Sequence, residues 1–352
     1  MVFVYLIFTS FESLGIINTF PNKFHHWFFI TGIWPAGFVE FWPGDPVRSD
    51  MKKDFLTILD LAQHEAHALV LRAKEMKDAR HRSNILENKT FILIFEKAST
   101  RTKVSFEVGI RHLGGHYVFM TSRESQLGRS EPLKDTARVL SRYADGLIVR
   151  TFGQAKLEEL SRYSSIPVIN ALTDEYHPCQ VMSDLLTIYE RTPDFKDLTI
   201  AWVGDGNNMA NSWINAAIYF PFQLNMAFPR GYAPRSELLE RALQLGARIF
   251  VTNDPVEAVR GAHYVNTDVW ASMGMELELD KRAGVFKGFT LDEKLLKGAH
   301  ENVKVLHCLP AHRGQEITDR VIEGEWSMVW DQAENRLHMQ KAILEWVVAP
   351  VE

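Results

Sequence analysis

From residue 51 onward, short apolar runs alternate with amphipathic stretches long enough for helices, and this alternation constrains the fold more than any other feature of the chain. A run such as Thr90-Phe91-Ile92-Leu93-Ile94-Phe95 is apolar at consecutive positions rather than at every second one. The strand it forms must therefore be covered on both faces. Parallel strands joined through helices meet that condition, so an α/β fold with mostly parallel sheets is expected. Two such series are present. The first has strands at Thr90–Phe95, Gly115–Met120, Gly146–Val149 and Ile166–Ile169, with helices starting near Ser99, over 132–144 and 154–163, and from His177-Pro178 to about Glu190. Proline suits the first helical position because its missing N–H has no partner there in any case. Arg191-Thr192-Pro193-Asp194 breaks the pattern and marks the expected hinge. The second series begins with Leu198–Val203 and continues with strands near 223–228, 248–252, 263–267 and 303–307, then a final helix from Asn335 to about Val348.

Composition enters as a filter. A chain of 352 residues has length for about two domains. Lys+Arg at 39 against Asp+Glu at 44 gives a net charge of −5, and no basic run tracks a phosphate backbone, so nucleic acid is not an expected partner. Two cysteines, Cys179 and Cys308, are too few for a disulfide scaffold and form no CxxC pair, which favours a reducing, cytoplasmic setting. Residues 1–50 stand apart: nine Phe, three Trp and one Tyr occur there with only six charged residues. The segment lacks the basic n-region and cleavage site of a secretory signal, and it has no apolar run long enough to span a bilayer, so no membrane association is expected. The expectation is an atypical extension, upstream sequence read through from an early start codon, with Met51 as the natural beginning.

The sharpest local signal is Glu96-Lys97-Ala98-Ser99-Thr100-Arg101-Thr102-Lys103, between a buried strand and a helix. A helix start offers free N–H groups and a positive dipole end, and three hydroxyls with an arginine suit a phosphate. Simple N-capping is the alternative, since Ser and Thr belong there anyway. Arg150 closes a strand at the edge where parallel sheets bind ligands, or serves a surface ion pair. His177 and Gln180 lie one turn apart at a helix start, in a functional or merely structural role. Gly204-Asp205-Gly206-Asn207-Asn208-Met209 invites a dinucleotide reading, but Met209 replaces the third glycine and no acid follows the next strand. The loop after Asp268 and the segment His307-Cys308-Leu309-Pro310 each put polar groups at the second sheet's carboxyl edge; for Cys308 the alternative is a buried, inert thiol.

Taken in order, Ser99-Thr100-Arg101-Thr102, His177-Pro178-Cys179-Gln180, Asp268 with Ser272-Met273-Gly274, His307-Cys308-Leu309-Pro310 and Ala333–His338 resemble the aspartate/ornithine transcarbamylase family, on its ornithine branch. The resemblance runs from Met51 to Val348. It implies two doubly wound parallel-sheet domains with the active site in the interdomain cleft: a carbamoyl phosphate-binding domain over 51–190, an ornithine-binding domain over 191–334, and a C-terminal helix, 335–348, returning to the first. The implied reaction joins carbamoyl phosphate to L-ornithine, giving L-citrulline and phosphate in arginine biosynthesis, without metal or organic cofactor. Ser99, Thr100, Arg101 and Thr102 would hold the phosphate, with Arg150, His177, Gln180 and Arg336 around the carbamoyl group and Gln126 reaching in from a neighbouring subunit of a homotrimer or a multiple of trimers. Asn170, Asp268, Ser272 and Met273 would bind ornithine, and Cys308 with Leu309 would close the site. Arg101, Arg150, His177, Asp268 and Cys308 are the expected catalytic set, with Cys308 as a thiolate a candidate proton acceptor.

Two positions depart from the family's pattern. Lys103 replaces the arginine that usually follows the Ser-Thr-Arg-Thr run, keeping charge but losing the bidentate fork. Tyr219-Phe220-Pro221 is an unusual end to a helix. The rival readings are a transcarbamylase for another amine such as putrescine, which needs no α-carboxylate contacts, and a non-catalytic paralogue that binds carbamoyl phosphate.

Overall fold

The computed structural model describes residues 52–121, 131–271 and 279–350, with the backbone alone at 279 and 280. Residues 1–50 and the expected ligands Gln126, Ser272 and Met273 lie outside the described residues. Two sheets form, and every strand pair in both is parallel. In the first, β1 (Thr90–Phe95), β2 (His116–Thr121), β3 (Gly146–Arg150) and β4 (Val168–Leu172) are ordered β2-β1-β3-β4. In the second, β5 (Thr199–Val203), β6 (Gln223–Ala227), β7 (Arg248–Thr252), β8 (Tyr264–Thr267) and β9 (Lys304–His307) are ordered β7-β6-β5-β8-β9. Central strands such as β3 are buried throughout, whereas the edge strands β2 and β7 are half exposed.

Strand order decides where a ligand can bind. After β1 the chain builds outward to β2, then returns to add β3 on the other side; after β5 it builds to β6 and β7, then returns to add β8. Loops leaving the carboxyl ends of β1 and β3 therefore diverge to opposite faces and open a crevice, and so do those leaving β5 and β8. Register aligns these ends, pairing Phe95 with Arg150 and Thr267 with His307.

The helix Pro178–Tyr189 joins the two halves. Its residues from Pro178 to Ile188 are all buried, and the largest apolar cluster runs from Phe91 and Leu93 through Val181, Leu185 and Leu186 to Ile200, Trp202 and Trp213. Each Leu or Ile there contributes roughly 1.5–3 kcal/mol of burial. The final helix packs on the helices Gln63–Asp78, Thr100–His112 and Pro178–Tyr189, so it does return to the first sheet's side.

Two elements differ from expectation. The final helix starts at Val329 rather than Asn335. Its first turns carry Asp331, Gln332 and Glu334, a polar run that reads as loop, yet Gln332 is buried and its amide accepts from the backbone N–H of His307 at 2.8 Å. The helix Gln63–Asp78 was not expected at all, although Ala66, Leu69, Val70, Ala73 and Met76 form its buried stripe at helical spacing.

Candidate active site

The two crevices face one cavity of about 890 Å³, lined on one side by residues from Ser99 to Thr102, Arg150, His177 and Arg336, and on the other by Asp205–Asn208, Asp268, Cys308 and Leu309. On the first side, β1 delivers the chain to the N-terminus of the helix Thr100–His112. Ser99 caps it, Oγ accepting from the Thr102 N–H at 3.2 Å, so the capping reading holds for this one hydroxyl. Thr102 is fully buried and its Oγ1 accepts from Arg336 Nη2 at 2.6 Å, which ties the final helix to the loop. Thr100 and Arg101 remain turned to the cavity.

Three guanidinium groups share this corner with no carboxylate in ion-pairing distance among the described residues. Arg150 and Arg336 are buried, and the Nε of each lacks an acceptor among the described residues. Burial first, and then the charge of the neighbouring arginines, pushes the Arg150 guanidinium down to about 10; burial pushes Arg336 to about 10 as well. Both stay charged at neutral pH. The same burial and the same three arginines hold the His177 imidazole well below its ordinary range, so it is neutral and can donate or accept but carries no charge. Its Nδ1 has no partner among the described residues, and its backbone N–H donates to Ser212 Oγ at 2.8 Å. Buried, unpaired donors and like charges are costly unless an anion meets them, so the corner is built for a polyanion.

The opposite side is organised around Asp268, just past β8. Its Oδ1 accepts from the Cys308 thiol at 3.1 Å and from the Val269 N–H at 2.8 Å, and its Oδ2 accepts from Asn207 Nδ2 at 3.0 Å. Burial pushes the Asp268 carboxyl up, and burial with the Asp268 charge pushes the Cys308 thiol well above its usual range. The thiol is therefore protonated and donates to the carboxylate, which corrects the expectation of a thiolate acceptor. Asn207 also caps the helix Asn208–Tyr219, its Oδ1 accepting from Met209 and Ala210 N–H. Gly206 is required here, since a Cβ would lie 2.5 Å from the Tyr232 carbonyl oxygen. His307 accepts from the Leu309 N–H through Nδ1 at 2.9 Å and faces Glu316 at 3.0 Å through Nε2. Asp268, His307 and Cys308 place potential ligand atoms within 4.8 Å of one another, but these hydrogen bonds already engage both ring nitrogens.

Sequence and structure comparisons decide the family. The family model described as the aspartate/ornithine carbamoyltransferase carbamoyl-P binding domain matches residues 53–190, and that of the Asp/Orn binding domain matches 196–347. The chain belongs to the aspartate/ornithine carbamoyltransferase family. It is 65% identical over 297 residues to an ornithine carbamoyltransferase of Nitratidesulfovibrio vulgaris, covering 84% of this chain and 99% of that protein. Among solved structures it is similar to the ornithine carbamoyltransferase from Pyrococcus furiosus, with 41% identity, a TM-score of 0.82 and coverage of 86% and 98%. The anabolic enzyme from Campylobacter jejuni matches at 40% identity, a TM-score of 0.80 and coverage of 84% and 98%. The chain is accordingly a carbamoyltransferase.

Of the residues expected in a carbamoyltransferase site, Ser99, Thr100, Arg101, Thr102, Arg150, His177, Asp268, Cys308, Leu309 and Arg336 line the one cavity. Gln180 and Asn170 do not. Gln180 is buried behind His177, and its Nε2 donates to Asp184 at 2.8 Å. Asn170 is fully buried within β4; its Nδ2 donates to the Leu56 carbonyl at 2.8 Å, and its Oδ1 has no partner among the described residues. Asn207 and Asn208, which were not among the expected residues, do line the cavity, and a signal for them was present, a pair of asparagines opening a helix directly after a strand. Lys103 is absent from the cavity; its Nζ sits 3.7 Å from the Phe119 ring centroid and 4.0 Å from Glu107. Tyr219 and Phe220 join the two halves instead: the Tyr219 carbonyl accepts from Gln63, and Phe220 stacks on His67 with centroids 4.3 Å apart.

Proposed function

We propose that this carbamoyltransferase moves the carbamoyl group of carbamoyl phosphate to L-ornithine, giving L-citrulline and phosphate for arginine biosynthesis. The observation that carries the reading is the polarity of the cleft, with three arginines, two of them buried, free of ion-pair partners among the described residues on one side and a buried carboxylate on the other. One end suits a phosphate dianion and the other an ammonium-bearing substrate. The division of labour follows the chain: 51–190 with the final helix carries the carbamoyl phosphate site, and 191–334 the ornithine site.

In this reading the Thr100 and Arg101 end of the helix, with Ser99 and Thr102, holds the phosphate. Arg150, neutral His177 and Arg336 surround the carbamoyl carbonyl, with Gln180 behind them. The neutral δ-amine attacks the carbamoyl carbon, forming a C–N bond, the C–O bond to phosphate breaks with its electron pair leaving on phosphate, and the proton lost by the amine nitrogen is balanced by release of the leaving group as hydrogen phosphate. Negative charge grows first on the carbonyl oxygen and then on the leaving group, where preorganised donors and cations lower the barrier. His177 supplies an N–H without adding a fourth charge to the corner. Asp268 orients the substrate's amino groups, with Asn208 beside it and Ser272 and Met273 contributing from the same loop. Cys308 keeps Asp268 in place by donating to it. The cleft also aligns both substrates, a proximity gain of roughly 7 kcal/mol or more when the geometry is right.

Gln126 would complete the carbamoyl phosphate site of a neighbouring subunit in a homotrimer. The proposed setting is the cytoplasm, a reading supported by the two cysteines without a CxxC pair. The test is citrulline formation from carbamoyl phosphate by purified protein, with ornithine, putrescine and aspartate offered in parallel. Turnover confined to ornithine supports the assignment. Turnover with putrescine instead, or binding of carbamoyl phosphate without product, would replace it with one of the rival readings.

A further inference from the structure

Asp184 lies in the helix Pro178–Tyr189, fully buried, and takes no part in the chemistry above. Three amides converge on it. Gln180 Nε2 donates to Oδ1 at 2.8 Å from the same helix, Gln332 Nε2 donates to Oδ1 at 2.7 Å from the final helix, and Asn266 Nδ2 donates to Oδ2 at 3.3 Å from β8. No lysine or arginine forms an ion pair with it among the described residues. Burial pushes the carboxyl up to about 7, against the pull of the three amides and of Arg336. A core carboxyl is expensive relative to an apolar residue of similar size, so its position needs a reason other than stability.

Each amide is one step from the cleft. Gln180 shares the first helical turn with His177, whose Nδ1 has no partner among the described residues. Asn266 stands two residues before Asp268 on the same strand and loop. Gln332 passes the contact on, because its Oε1 accepts from the backbone N–H of His307, the residue before Cys308. One carboxylate thus braces the first-sheet groups and the second-sheet groups at once; Gln332 cannot reverse its amide without losing the bond from His307, whereas Gln180 Oε1 and Asn266 Oδ1 have no partner among the described residues, so Asp184 is what orients those two amides.

We propose that Asp184 is a positioning residue that couples the two halves of the active site, fixing Gln180 and His177 on the carbamoyl phosphate side relative to Asp268 and Cys308 on the amine side. This rests on the assignment of those four residues to the two substrates. Asp184→Asn keeps the shape of the side chain but turns one acceptor into a donor that faces donors. Gln332→Leu cuts the arm to His307 and leaves the charge.

The experiment is a double-mutant cycle on kcat for citrulline formation, with thermal melts of each protein. Asp184→Asn is expected to lower kcat about tenfold or more, since small misplacements of reacting groups are costly. Both KM values should change far less. Because both substitutions break one network, the double variant should be little slower than the slower single one. Multiplying factors, a wild-type kcat in Asp184→Asn, or a rate loss that merely tracks loss of folded protein would each overturn the proposal. If Asp184→Asn does not fold, Asn266→Ala with Gln332→Leu makes the same cycle, with the same expected non-additivity. A wild-type protein that makes no citrulline would remove the functional reading and this one with it, whereas an active wild type with an additive cycle removes only this one.

Discussion

On the first-sheet side of the cleft, Arg101, Arg150 and Arg336 stand among one another with no carboxylate in ion-pairing distance among the described residues, and His177 is neutral beneath them. On the second-sheet side, Asp268 is already satisfied by Cys308, Asn207 and the Val269 N–H. One half is electrostatically frustrated until an anion arrives; the other must exchange existing hydrogen bonds for those of a substrate. Desolvating an ion costs several kcal/mol even after relaxation, so the arginine corner is a stored cost that ligand binding relieves. The Asp268 side also carries a burial cost, which pushes its carboxyl up, but three hydrogen bonds offset part of it. On the proposed reading, this difference concentrates affinity at the arginine end, where the phosphate would sit, and leaves the amine end to contribute orientation.

The largest effect that could break this contrast is at Arg101. Arg101→Ala should lower citrulline formation by about 10³ or more, because it removes a preorganised charge where the phosphate departs. The fold should not suffer, since the substitution also removes repulsion from Arg150 and Arg336. Turnover assays with thermal melts check both halves of the expectation; turnover near wild type would end the claim that the frustrated corner holds the phosphate.

On the satisfied side, Asp268→Asn should reduce turnover by about 10²-fold, in line with the loss of one oriented polar group. It should also change Cys308 in a definite direction. The Asp268 charge raises the thiol, so its removal lowers the thiol toward its usual range and speeds alkylation at mildly alkaline pH. Cys179 is the internal control, because it is fully buried and burial pushes it up to about 12. An unchanged alkylation rate at Cys308 would show that the thiol is not held by the carboxylate.

What could be read from the sequence follows the same divide. The run Thr90–Phe95 and the Ser-Thr-Arg-Thr turn after it were legible, because a strand buried on both faces is apolar throughout and the turn that follows is dense in donors. Arg150 was marked by its place at the carboxyl end of a strand, whereas Arg336 was reached only through motif resemblance, since nothing local marks a buried arginine without a partner. That Asn207 and Asn208 line the cavity while Asn170 does not was hidden, because both β4 and the start of the helix Asn208–Tyr219 carry asparagines, and the contact of Asn170 with the Leu56 carbonyl is long-range. The start at Val329 was obscured because its polar turn is buried only through long-range bonds from Gln332 to His307 and Asp184.

A smaller effect sharpens the comparison without mutation. Inorganic phosphate or carbamoyl phosphate at about 100 times its Kd should stabilise the fold by about 2.7 kcal/mol, raising the melting midpoint by several degrees. Ornithine alone, at the same concentration, should raise it less, because the carboxylate on its side of the cleft already accepts three hydrogen bonds. Melts with each ligand separately decide the point, and a larger shift with ornithine than with phosphate would invert the assignment of the two halves.

The smallest expected effect is at Lys103, next to the phosphate turn yet outside the cavity. Its ammonium lies over the Phe119 ring at 3.7 Å and near Glu107 one helical turn on, both contacts that a guanidinium can also make. Lys103→Arg should therefore leave turnover within about twofold of wild type and stability within about 0.5 kcal/mol, as for a surface change that keeps its partners. Steady-state rates and a denaturant midpoint measure it. A tenfold change in KM for carbamoyl phosphate would mean that the frustrated corner extends beyond its three arginines, and that the fourth cation is part of what the anion must satisfy.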